Sequence, residues 1–241
     1  MRHCSREVIG SPCNDRGVIL SKLVAGRDFD LWLIDLAPPA AAEYWGYLSD
    51  SERAKAARFV FERDRRRYVA AHIGLRMLLS AKTSLPPGSI AFQDGPFGKP
   101  FLVSTGRASF NLSHSEDTAL VLIASQGEWG VDVEHLRPMP EAMLLAERNF
   151  SAAECNALGL VAAEGRHLAF LTGWTRKEAC LKAIGSGLSI APDTFTAGLQ
   201  HDRCTTTIAT PEGLATVTVQ SFCHEDRCVI AWAKVEPPSA D

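Results

Sequence analysis

Residues 129–134 read Trp-Gly-Val-Asp-Val-Glu, and no other stretch restricts the folding of this chain as much. The apolar spacing is that of a buried β-strand, yet two carboxylates interrupt it. Side chains two apart on a strand point to the same face, so Asp132 and Glu134 stand side by side. Burying a carboxylate costs several kcal/mol unless a partner compensates it. One solution is an edge strand whose acids are partly exposed or neutralised by arginine. The other is a cradle for a hard divalent cation, since Mg²⁺ is commonly held by one or two carboxylates together with substrate phosphates.

The chain has the material for a substantial core: 46% of its 241 residues are hydrophobic. A formal net charge of −3 argues against a general nucleic-acid coat, so basic chemistry has to be local. No run approaches the ~20 apolar residues of a membrane span, and the N-terminus lacks a signal-peptide pattern. Seven cysteines, none spaced Cys-x-x-Cys, read as reduced thiols of a cytoplasmic protein. His201, Cys204, Cys223 and Cys228 could gather a zinc ion, but they lack a standard paired-ligand spacing, and buried or incidental thiols are the preferred reading.

Along the chain, residues 1–28 lack periodicity and read as a loosely ordered arm. Phe29 to Leu36 alternates as a strand. Ser49 to Glu52 is a capping box opening a helix through Phe59, and Asp64 caps a second helix that closes before Pro86-Pro87. Ala108 to Ser125 reads as two strands around the polar turn Ser-His-Ser-Glu-Asp. After the acidic strand, Ser151 to Glu154 is a second capping box, and Glu164 to Ile184 is a long helix stopped by Gly185 and Gly187. Leu214 to Val235 is a further hairpin. Each half therefore has a capped helix, a longer helix and a hairpin whose turn contains Glu-Asp. The joint falls near Gln126-Gly127, giving an α+β protein with lobes over 29–125 and 126–241.

A second constellation lies on the long helix. Trp174, Glu178 and Lys182 are four apart and share one face, with Lys177 beside them. This is either an ordinary helix with an i,i+4 Glu–Lys pair, or a third metal ligand with lysines for phosphate. His114, after Ser113 at a strand end, is either structural or a site residue; no nucleophile-elbow motif surrounds the pair. Lys99, in Phe-Gly-Lys-Pro, is an exposed loop lysine or a phosphate contact. The arginines of Arg63 to Tyr68 form a solvated face or an anion site. Together, acids for Mg²⁺ and separate cations suit a substrate carrying a pyrophosphate and another phosphate.

Five segments in order, "ERAKAARFVFERDRRRYVAAHIGLR", "GKPFL", "FNLSHS", "GVDVE" and "WTRKEACLKAIGSGL", resemble the signature of 4′-phosphopantetheinyl transferases. The likeness runs from about Leu48 to Leu188 and is closest to the monomeric, two-lobed type. It implies two similar α/β lobes in pseudo-twofold arrangement with the active site at their interface. It implies transfer of the phosphopantetheine arm of coenzyme A to a serine of an apo acyl or peptidyl carrier protein, with release of adenosine 3′,5′-bisphosphate. Neither nucleic acid nor membrane enters that reaction. By resemblance Asp132, Glu134 and Glu178 hold Mg²⁺, or Mn²⁺, and Lys182 contacts phosphate at the leaving group. Ser113 and His114 match a coenzyme A-binding step, and Lys55, Arg67 and Lys99 fall on basic positions for its nucleotide part. Glu154 matches a further acidic position. Glu178, directly or through water, is the candidate base for the carrier serine; a metal-bound water is the alternative, because a carboxylate that ligates metal is a weakened base. Ala54 and Ala57 depart from the polar residues common in the first helix.

Overall fold

The computed structural model describes residues 17–103 and 108–238. The chain divides into two compact units: one of residues up to Gln93 with Phe101–Gln126, the other of Asp94–Pro100 with Gly127 onward.

The first unit opens with β1 (Ile19–Ala25) and β2 (Phe29–Asp35), then α1 (Asp50–Ala56) and α2 (Glu62–Thr83). A short hairpin, β3 (Phe92–Asp94) and β4 (Pro100–Leu102), precedes β5 (Ser109–Ser115) and β6 (Thr118–Ala124). The four long strands form an antiparallel sheet in the order β1-β2-β6-β5. One face, with Ile34, Val121, Ile123 and Phe110, packs with Val69, Ile73 and Leu79 of α2 in a single core. The expected arm over 1–28 is corrected where it is described, because Ile19–Ala25 is an edge strand. Its polar Ser21 and Lys22 dilute the alternation, and Lys22 pairs with Asp30 on β2 instead (3.5 Å). The second helix also starts earlier than its Asp64 signal: Phe61 is the N-cap, with no side-chain cap bond.

The second unit contains β7 (Trp129–His135), α3 (Ala142–Asn149), α4 (Ala152–Gly159), α5 (Ala163–Ile184), and the strands β8 (Cys204–Thr210), β9 (Gly213–His224) and β10 (Cys228–Val235). Its antiparallel sheet runs β7-β10-β9-β8. Gly185, at φ +79°, supplies the left-handed residue that ends α5.

Each unit contains the same β-α-α-β-β series with the last strand at the centre: β2-β6-β5 in one, β7-β10-β9 in the other. The likeness reaches individual side chains. Both capping boxes are formed, Ser49–Glu52 and Ser151–Glu154, and both glutamates are buried. Glu52 Oε2 accepts from Arg76 Nε at 2.8 Å; Glu154 Oε2 pairs with Lys177 Nζ at 2.8 Å. Arg76 and Lys177 each stand fourteen residues beyond the first residue of a 22-residue helix. A polar side chain thus does two jobs in each unit: it caps the short helix and fixes the long one.

Candidate functional site

In the second unit, the site is set by how closely α5 approaches β7. Gly130 lies on the same face of β7 as Asp132 and Glu134. A Cβ built on it would stand 2.1 Å from Ala179 O and 2.3 Å from Ala183 N, both backbone atoms of α5. Only a glycine lets strand and helix come this near. The two carboxylates are therefore presented to the helix rather than to open solvent.

From Phe170 to Ala183, the only partly exposed positions of α5 are Trp174, Glu178 and Lys182; the rest are buried. Lys182 Nζ lies 2.6 Å from Asp132 Oδ1, and Asp132 is 5% exposed. Glu134 Oε2 is held by Arg137 Nη1 at 2.8 Å. Burial pushes the Glu178 carboxyl above its ordinary pKa, the Asp132 carboxylate adds to this, Lys182 opposes it, and Glu134 adds again. Asp132, Glu134, Glu178 and Lys182 thus act on one another electrostatically. Sequence reasoning missed Gly130, although an isolated glycine inside a strand signals close backbone approach.

Three mutually repelling carboxylates are a hard-oxygen donor set of the kind Mg²⁺ takes. Among the described residues, no three His, Cys, Asp or Glu side chains converge tightly enough, as placed, to hold a metal ion. The donor chemistry fits the cation, and adjustment of flexible side chains is needed to close on it.

Lys177, expected at phosphate, is corrected. It is fully buried, and its three N–H donors go to Glu154 Oε2, Pro192 O (2.7 Å) and Phe195 O (2.5 Å). Burial lowers its pKa, against the opposing charge of Glu154. As the counterpart of Arg76, it holds the unit together from within. Lys99 Nζ donates to Glu128 Oε2 (2.8 Å) and to Ala183 O (3.0 Å), where a cation suits the C-terminal carbonyls of α5.

In the first unit, Arg67, Tyr68 and His114 line one concavity with Phe59, Asp64, Ser115 and Glu116. His114 pairs with Ala119 on the face that carries α2, which brings it beside the start of that helix. Ser113 pairs with Leu120 and, by strand alternation, faces the other way, buried at 5% exposure. The Ser-His step is therefore split across the sheet, and only His114 reaches the concavity. Arg67 bonds the β5–β6 turn through Asp117 Oδ1 (2.9 Å) and Glu116 Oε2 (2.8 Å). Lys55 is exposed on α1 with its ammonium 5.1 Å over the Tyr68 ring.

Comparison with known proteins points to one family. A family model described as the 4′-phosphopantetheinyl transferase superfamily matches residues 128–232, and one described as 4′-phosphopantetheinyl transferase, N-terminal, matches residues 39–128. The 4′-phosphopantetheinyl transferase HetI of Nostoc sp. is 34% identical over 84% of this chain and 86% of its own length. The 4′-phosphopantetheinyl transferase psf-1 of Bacillus pumilus is 32% identical, covering 81% and 82%. The enzyme Sfp of Bacillus subtilis is 29% identical, covering 66% and 70%.

Proposed function

The chain belongs to the 4′-phosphopantetheinyl transferase superfamily and is an enzyme of that type, and from this we propose how its residues divide the work. The reaction moves the phosphopantetheine arm of coenzyme A to a serine hydroxyl of an apo acyl or peptidyl carrier protein. The serine oxygen forms a bond to the nearer phosphorus of the pyrophosphate. The bridging P–O bond breaks, and adenosine 3′,5′-bisphosphate leaves.

Such a transfer depends on positioning and charge neutralisation more than on covalent steps. A Mg²⁺ or Mn²⁺ ion held by Asp132, Glu134 and Glu178 would supply Lewis-acid neutralisation of the pyrophosphate oxygens. Lys182, 2.6 Å from Asp132, would place its positive charge on the departing phosphate. Glu178 would take the serine proton directly or through water, with a metal-bound water as the alternative base. His114 and Arg67, on one concavity, would bind the nucleotide end, with Lys55 nearby. Ser113 and Lys99 would support the site from the partners described above. We place the enzyme in the cytoplasm as a monomer; the free thiols of Cys155, Cys180, Cys204, Cys223 and Cys228 accord with a reducing compartment. Among the described residues no helix is long and apolar enough to cross a membrane.

The observation that carries this reading is the meeting of Lys182 and Asp132 on the face of β7 that Gly130 opens to α5. The test incubates the protein with coenzyme A, Mg²⁺ and several apo carrier proteins, then looks for the added arm by mass. Asp132→Ala should lower the transfer rate by about 100-fold or more. Coenzyme A binding with no transfer to any carrier of a broad panel would instead make this a non-catalytic binding module.

A further inference from the structure

Away from the acidic face of β7, the loop after α5 meets β9 in a second cluster of chemistry-bearing side chains. Cys223 Sγ lies 3.4 Å from His201 Nε2, and His201 Nδ1 lies 3.2 Å from Ser221 Oγ. Ser221 is buried and accepts from Arg176 Nη1 at 3.1 Å. Arg176, itself fully buried, also donates to Ala197 O, Gln200 O and Asp202 O, at 2.6, 2.7 and 2.7 Å. The loop that carries His201 is thereby fixed against the sheet that carries Cys223.

Hydrogen-bond accounting admits the metal-binding tautomer. When Ser221 Oγ gives its proton to Gln200 O (3.4 Å) and receives one from Arg176, its second lone pair accepts from His201 Nδ1–H. The lone pair of Nε2 then points at the thiol. A histidine whose other ring nitrogen is tied to a supporting group is in the form that binds metals.

We propose that His201 Nε2 and Cys223 Sγ form a two-residue chelate for a thiophilic divalent cation of the Zn²⁺ and Cd²⁺ class. With Zn–S of about 2.3 Å and Zn–N of about 2.0 Å, the 3.4 Å separation gives an S–Zn–N angle of about 100°, near tetrahedral. Among the described residues no third ligand converges, so solvent or an exogenous ligand completes the coordination. Loading forms the S–metal and N–metal bonds and breaks the S–H bond, with the proton going to solvent. Burial, and then the Asp226 carboxylate in the β9–β10 turn, hold the Cys223 thiol above its ordinary range. The Asp226 charge favours the cation's arrival. The hard-oxygen set around Asp132 selects for different ions, so the two sites are chemically separate.

The test follows sulfur, which the carboxylate site lacks. Cd²⁺ titration is monitored by thiolate-to-cadmium absorption in the intact protein, Cys223→Ser and His201→Gln. In parallel, iodoacetamide labelling of Cys223 is mapped by mass with and without one equivalent of Zn²⁺. One equivalent of absorption should vanish in Cys223→Ser and require at least tenfold more Cd²⁺ in His201→Gln. Zn²⁺ should slow Cys223 labelling at least tenfold in the intact protein and not in His201→Gln. Equal Cd²⁺ affinity in His201→Gln, unchanged labelling with Zn²⁺, or equal protection by Mg²⁺ would each overturn the proposal.

Discussion

Replacing Gly130 with alanine puts a methyl carbon where α5 already is. The added Cβ would lie 2.1, 2.3 and 2.8 Å from Ala179 O, Ala183 N and Lys182 C, which are backbone atoms and cannot rotate aside. Carbon contacts settle at about 3.5–4.0 Å, so helix and strand must part by roughly 1 Å or more. Overpacking of this kind costs about 1–3 kcal/mol. Alanine recovers about 0.4–1 kcal/mol by restricting the unfolded chain. The net loss, taken near the upper end because backbone must move, is about 2 kcal/mol, or a fall in Tm of roughly 4–8 °C for a chain of this size. The displacement falls on the helix that carries Glu178 and Lys182, and a misplacement of about 1 Å can cost about 100-fold in rate. Calorimetry and the carrier mass-shift assay, run on the same preparation, should show both effects. A Gly130→Ala protein with Tm within about 1 °C of the parent and an unchanged transfer rate would refute the claim that this close approach builds the site.

Two further substitutions probe the repeated buried pair. Lys177→Met should cost about 3 kcal/mol, the lower end for a broken buried pair, because Glu154 keeps its bonds from Ala197 N, Gly198 N and Ser151. Transfer per folded molecule and KM for coenzyme A should stay at parental values; a raised KM with normal urea stability would restore a phosphate role to Lys177. At Glu52, burial alone would raise the pKa, but bonds from His72 and Ser49 and the Arg76 charge outweigh it and bring it from 4.5 to about 2. A depressed carboxyl contributes stability above its unfolded pKa and loses it as pH falls through the folded one, here between about 4.5 and about 2. After discounting for screening the contribution is about 2 kcal/mol. The urea-stability gap between the parent and Glu52→Gln should therefore narrow from about pH 6 to about pH 3, and a constant gap would show that Glu52 is not the titrating group.

What the sequence made legible was local. Both capping boxes, the Gly185 stop and the hairpins rest on residues within a few positions of one another, and all formed as expected. The shared face of Asp132 and Glu134, and that of Glu178 and Lys182, follow from spacing on a strand and on a helix. The misses are contacts made at long separation. Lys177 beside Glu178 looks like surface charge until Glu154, 23 residues earlier, is seen buried against it. Ser113 and His114 are adjacent letters that alternation sends to opposite sides of a sheet. β8 hid in a threonine run, Cys204–Thr210, whose alternation appears only once it pairs with β9.

The paired anchors Arg76 and Lys177 also fix a common ruler along two helices of equal length. One step past the anchor stands Met77 in the first unit and Glu178 in the second; five steps past it stand Ala81 and Lys182. The same scaffold therefore offers two equivalent addresses for an acid and a base, and one is left blank with a thioether and a methyl group. At these two addresses the units differ by two letters written on a shared helical ruler.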